Sequence, residues 1–170
     1  MSIKVFFIEP SGLVQLRVKR VGVDDPLVFD QLTQEQAELR SSAMWKDGGI
    51  EYSSKIPIYR SPAGSLFTIN DAPPGAMWDA DWQRCFGRTG PDGIDLMVKC
   101  PDGHTWNVDG RASNCTRPDD NAHRCWCRHG DVRRGEIHVD KIGDTCAAGA
   151  GSILTPQWHG FLHDSCLVQC

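Results

Sequence analysis

The chain has 170 residues, 40% of them hydrophobic and 24% charged, with six Trp and a formal net charge of −4. That composition excludes intrinsic disorder and allows one domain, or one domain plus a small appendage. No apolar run reaches the length of a membrane span, and 18 Lys+Arg against 22 Asp+Glu exclude a chain that is a polycation as a whole.

The N-terminal apolar run, residues 5–8, stops at Glu9 and Pro10, which is not the pattern of a secretory signal. The expected setting is therefore a reducing cytosol, where clustered Cys mean metal, catalysis or burial in preference to disulfides. Residues 3–8 and 13–21 read as a hairpin around Pro10-Ser11-Gly12. In its second arm Val14, Leu16 and Val18 alternate with Gln15, Arg17 and Lys19. Thr33-Gln34-Glu35-Gln36 is a capping box opening a short helix through about Met44, stopped by Lys46-Asp47-Gly48-Gly49. Strand-like runs follow at 55–60 and 65–70. After Pro73-Pro74 comes a turn or short helix in which Trp78 and Trp82, four apart, share a face. Short strands are then expected at 93–100, 105–108, 123–128, 136–140 and 166–170. The reading is a mainly β or α+β fold, one compact domain of short antiparallel strands with one or two short helices.

All eight Cys and all six His lie from residue 85 onward, so residues 1–84 read as scaffold and 85–170 as the half that carries candidate sites. Three constellations stand out there. The first is a Cys/His set. Cys100-Pro101-Asp102-Gly103-His104 has the shape of a metal knuckle, followed by Cys115 and then His123, Cys125, Cys127 and His129. If 123–129 is a strand, those last four share one face, and four residues along a straight strand cannot all reach one tetrahedral ion. A structural zinc site would pair Cys100 and His104 with two of Cys115, Cys125 and Cys127, with His123 as a further candidate ligand. The alternative is thiols and imidazoles packed or hydrogen-bonded in a small core.

The second is the small-residue loop from Cys146 to Ser152, with His159 seven residues beyond the Ser. A tight turn exposing Ser152 leaves backbone N–H groups free for an oxyanion, and His159 is at the right distance to be its base. Asp140, Asp144 and Asp164 are the nearby carboxylates, and Cys146 with His159 is the thiol version of the pair. The alternative is a glycine-rich turn with an ordinary Ser. The third is arginine: residues 111–134 carry six Arg against three Asp, near Trp106 and Trp126. That is a candidate nucleic-acid face, or a solvated, salt-bridged loop.

Ala72-Pro73-Pro74-Gly75-Ala76-Met77-Trp78, Arg111-Ala112-Ser113-Asn114-Cys115, His123-Arg124-Cys125-Trp126, Val139-Asp140-Lys141, the 146–153 run and His159-Gly160-Phe161-Leu162 are the stretches of a wider likeness. On them the chain resembles small proteins encoded by tailed bacteriophages and prophages, which implies an origin and no activity. Cys100–His104, Trp106, Gly151-Ser152-Ile153 and His159-Gly160-Phe161 also occur in the order shown by the DUF6527 family. That family is found in phages and in bacterial ubiquitin-like conjugation operons. The resemblance implies a serine peptidase acting on a protein or ubiquitin-like tail, with Ser152 as nucleophile and His159 as base. The chain departs from that pattern at Gly151, His104 and Pro156. Three functions follow as expectations: a small hydrolase; a non-enzymatic phage protein, either a virion component such as a capsid decoration protein or an inhibitor of host defence; and a zinc-stabilised nucleic-acid module. The first two imply a phage or host protein as substrate or partner, in the host cytoplasm or the virion, with no membrane.

Overall fold

The structure is a computed structural model describing residues 2–85, 89–149 and 151–170. The fold is mainly β: four small sheets, mostly antiparallel, and among the described residues one α-helix. The chain forms two compact units, one from residues 1–8 and 73–170, the other from the intervening 9–72. The second unit is thus an insertion in the sequence of the first.

In the inserted unit, strands β3 (Glu9–Arg20), β4 (Leu27–Thr33), β5 (Ile50–Arg60) and β6 (Leu66–Phe67) form an antiparallel sheet in the order β4-β3-β5-β6. The helix α1 (Gln34–Asp47) packs on it. The alternation in β3 does what its period predicts: Val14, Leu16 and Val18 are buried and meet Ala37 of α1. The capping box is present in both directions, Thr33 Oγ1 accepting from Gln36 N and Gln36 Oε1 accepting from Thr33 N. The helix runs three residues past Met44 and ends where Gly48 takes a positive φ of 81°. Pro10-Ser11-Gly12 does not turn a hairpin. It lies inside β3, where the pairing with β5 shifts register between Pro10 and Val14.

Residues 2–8 belong instead to the other unit. There β1 (Ser2–Lys4) pairs with β14 (Cys166–Gln169), in a sheet ordered β1-β14-β13-β12 with β13 (Trp158–His163) and β12 (Ile153–Thr155). A second sheet, β2-β7-β8-β9, joins β2 (Phe6–Phe7) in parallel to β7 (Ala76–Asp79), then β8 (Leu96–Lys99) and β9 (Thr105–Asn107). A short ribbon pairs β10 (Cys127–His129) with β11 (His138–Asp140). Trp78 is therefore a buried strand residue, while Trp82 sits half exposed in a short 3-10 turn, so the two do not share a helical face.

The core of this unit gathers Phe7, Met77, Leu96, Val98, Ile153 and Leu162 around Trp126. Trp126 packs against Trp106 in a tilted pair, ring centroids 4.9 Å apart, and donates its indole N–H to Val108 O. Beside them Arg128, its side chain 3% exposed, makes a buried ion network. Its Nε donates to Asp109 at 2.9 Å, its two Nη to Asp92 at 3.0 and 2.5 Å, and Nη2 also to Ile94 O at 3.2 Å. Gly90 is required there, because a Cβ on it would lie 2.0 Å from Arg128 Nη2. Long stretches of the unit, 108–126 and, among the described residues, 141–149 and 151–152, have no regular strand.

Candidate metal centre

The expected strand over 123–128 is present only from Cys127. Before it the chain is irregular, touching Thr145 through a single parallel bridge at Arg124. That difference decides the geometry. His123 and Cys125 leave the line of the strand and converge with Cys115 and Cys146, all four ligand atoms lying within 4.8 Å of one another. Cys127 and His129 stay in the ribbon and do not join them. Cys127 Sγ lies against Gly143, and His129 Nε2 is 2.9 Å from Asp140 Oδ1.

The spacing is that of a coordination shell. Zn–S bonds of about 2.3 Å put the sulfur–sulfur edge of a tetrahedron at about 3.8 Å, and an imidazole shortens that edge to about 3.5 Å. Here Cys146 Sγ is 3.8 Å from Cys125 Sγ and 4.0 Å from Cys115 Sγ, and Cys115 Sγ is 3.3 Å from His123 Nε2. His123, Cys125 and Cys146 are buried and Cys115 is half-buried, so four protein ligands close the site. The cluster can hold a structural metal ion such as zinc.

Three loop segments place the four ligands. A turn closed by Cys115 N donating to Ala112 O at 3.1 Å presents the first thiol. Arg111 reaches around that loop, donating to Arg117 O, Pro118 O, Asp120 O and Asn121 Oδ1. Asp120 then sets the imidazole. Its carboxylate accepts from Ala122 N, and its carbonyl lies 2.8 Å from His123 Nδ1. Donation from Nδ1 leaves the Nε2 lone pair facing the thiols, the orientation a metal-bound imidazole needs. On the far side Cys146 N donates to Arg124 O at 3.2 Å, bringing the fourth ligand beside Cys125. Lys141 ties these segments together by donating its ammonium to Cys125 O, Cys146 O (2.8 Å) and Ala148 O (2.7 Å).

The electrostatics favour a cation among the thiols. Burial pushes the Cys146 thiol up, but the backbone N–H groups of Thr116 and Ala148, then the thiols of Cys125 and Cys115, outweigh it and bring it down to about 6. Cys125 goes the other way, pushed up to about 11 chiefly by burial and by its thiol neighbours. One thiolate forms readily in this dry site, while further ionisation needs a positive charge to share it.

The remaining candidate residues lie elsewhere. Cys100 is fully buried in the hydrophobic core, its thiol pushed up to about 12 by burial and then by Asp102. The 100–104 turn does form, with Cys100 N donating to His104 O and Gly103 N to Cys100 O. A carboxylate anchors it, since Asp102 accepts from Thr155 Oγ1 (2.6 Å) and Gln157 N (3.1 Å) and lies 3.1 Å from His104 Nδ1. The expected pairing of Cys100 and His104 with the later cysteines is therefore replaced by a set containing His123 and Cys146.

Cys146, expected as a thiol nucleophile, sits inside the cluster and is 6% exposed. Ser152 immediately precedes β12, and His159 lies opposite Leu154 in the β12–β13 pairing. Among the described residues no hydrogen bond joins Ser152 to His159; Ala150, two residues before Ser152, lies outside the described residues. Asp140 faces His129 and His138. Asp164 faces His138 and Asp144 faces Arg117. The arginines also have internal roles. Beyond Arg111 and Arg128, Arg117 pairs with Asp120 and Asp144, Arg124 donates to Thr89 O, Arg133 lies over the Phe7 ring and Arg134 pairs with Glu136.

Sequence reasoning missed Cys146 as a ligand and Lys141 altogether. The available signal for Cys146 was the run of small residues after it, which frees backbone N–H groups to face a thiolate. For Lys141 there was none.

No protein-family model, curated protein or solved structure matches this chain. Among the described residues no helix is long and apolar enough to cross a membrane.

Proposed function

We propose that this is a non-catalytic protein module built around a structural zinc ion, bound by Cys115, His123, Cys125 and Cys146. The observation that carries the reading is the convergence of four ligand atoms, three on buried residues and one on the half-buried Cys115, from three irregular loops, with no ligand position left for a substrate. Bound zinc would supply the cross-link that strands do not supply over 108–126 and 141–149. Lys141 and Asp120 would orient the ligands. The reading belongs with the non-enzymatic class, a virion component or an inhibitor of host defence, in which the protein works by binding another protein.

Metal analysis of the full chain tests it. One equivalent of zinc is expected, together with thiolate charge-transfer bands when cobalt replaces it. A chain purified anaerobically with neither would overturn it.

A serine hydrolase is the second reading. It is supported by Ser152 and His159 both belonging to the β12–β13 hairpin segment, with His159 exposed. Labelling by a fluorophosphonate probe that is lost in Ser152→Ala is the expected result under that reading, and an unlabelled wild type removes it.

A further inference from the structure

The inserted unit carries an apolar groove that nothing in its own fold fills. It lies between α1 and β4, has a volume of about 640 Å³, and is lined by Leu27, Phe29, Leu32, Leu39, Ala43 and Met44. Leu39 is 66% exposed, and Ala37 is the only buried residue of α1, so the helix covers little of its own apolar surface. Strand β4 is at the edge of its sheet, paired only with β3. An exposed apolar groove beside an open sheet edge is the usual mark of an interface.

Charge says what fits. The charged residues lining the groove are Arg20 and Arg40. Arg40 lies over the Phe29 ring at 4.4 Å, and among the described residues neither arginine has a carboxylate partner. The occupant must therefore bring apolar side chains followed by carboxylates. The same unit displays such a segment in the turn between β3 and β4, Val21-Gly22-Val23-Asp24-Asp25. Val21 is 67% and Val23 46% exposed, and among the described residues neither aspartate is in an ion pair. The turn cannot fold into its own groove, because Val21 N is held by Gly49 O and Val23 N by Arg20 O with both valine side chains turned to solvent.

We propose that the protein forms a two-fold dimer in which this turn of each copy occupies the groove of the other. The valines would pack on Leu27, Leu39 and Met44, and Asp24 and Asp25 would meet Arg20 and Arg40. Turn and groove adjoin, since Arg20 and Leu27 flank the one and line the other. A single two-fold axis near the hairpin tip makes both contacts at once and closes the assembly. The dimer is independent of the metal centre, whose ligands all lie in the other unit.

Sedimentation of the full chain between about 1 and 100 μM tests this, at about 50 and 500 mM salt. A dimer that weakens as salt rises is expected. V21S/V23S should weaken it by about tenfold or more. D24K/D25K and R20E/R40E should each do the same, and the two combined should restore it, with the far-UV helix signal unchanged throughout. L154D, on the exposed edge strand of the other unit, should leave it intact. A monomeric wild type overturns the proposal. So does a dimer indifferent to V21S/V23S, a charge swap that fails to restore association, or a dimer abolished by L154D.

Discussion

The two units reach order by different routes. The inserted unit has no Cys or His, and its strands of 12, 7 and 11 residues carry long ladders on which one helix rests. Among the described residues of the other unit no strand exceeds six residues, and two irregular segments meet at the Cys/His cluster and through the polar contacts around it, such as Arg117 with Asp144. Where hydrophobic alternation runs long enough, burial and backbone pairing suffice. Where the chain is too irregular for that, ligands and charged side chains take over, with Lys141, Arg111 and Asp120 holding the carbonyls and amides that strands would otherwise pair.

The largest test of that contrast is metal removal. Structural zinc contributes apparent folding energies of about 10 kcal/mol or more in zinc-finger peptides. A strong chelator, or Cys125→Ser, should therefore melt the loops at 108–126 and 141–152. Hydrogen exchange is the measurement: amides there should lose protection, while those of β3 and β5 keep theirs. Equal loss in both units would mean that the contrast does not hold. The pH dependence has a definite sign. Binding needs deprotonated thiols and a neutral His123, so acid favours release of the ion, and metal content should fall as pH is lowered.

The buried ion network comes next. Arg128→Met would leave Asp109, its side chain 4% exposed, without its counter-charge. Breaking one partner of a buried pair costs about 3–5 kcal/mol. The denaturant midpoint of the unit that carries the Cys/His cluster should drop accordingly, while the helix signal from α1 persists. A change under about 1 kcal/mol would show that water reaches Asp109 and that the network is not a determinant of this unit.

What the sequence made legible follows the same division. In the inserted unit the β3 alternation and the capping box are local patterns, and both appear where they were expected. Two things there went unread: Pro10-Ser11-Gly12 lies inside β3 where a hairpin turn was expected, and β4 was not foreseen, since its residues alternate poorly and Gln31 takes a positive φ of 57° that breaks the period. In the other unit the Cys/His enrichment marked the right region, and Cys115, His123 and Cys125 were candidates. Cys146 lies 21 residues beyond Cys125, and its place depends on how two irregular loops cross, which no spacing rule encodes. Cys100 misled for a physical reason. A Cys-Pro-x-Gly turn is the same backbone whether a metal or a carboxylate anchors it, and here Asp102 does so.

Asp102→Asn tests that substitution of anchor. Burial pushes this carboxyl up, but hydrogen bonds from Thr155, His104 N and Gln157 N outweigh it and hold it below the usual carboxylate range. A depressed folded-state value means a stabilisation fully present at neutral pH and lost as pH falls through that value. The variant should cost about 1–2 kcal/mol near neutral pH, with the gap to wild type closing in acid. Zinc content should be unchanged, which separates a carboxylate-anchored turn from a metal knuckle.

The smallest effect probes the other side of the comparison. Thr33→Ala removes the hydroxyl that accepts from Gln36 N, and with it half of the capping box. The loss expected for an N-cap is about 1 kcal/mol, read as a lower thermal midpoint for the α1 signal. Because Thr33 sits at the junction of β4 and α1, fraying there should also loosen the β4 edge. Metal content and the midpoint of the cobalt-thiolate signal should not move. If they do, the helix supports the unit that carries the Cys/His cluster as well, and the two routes to order are not separate.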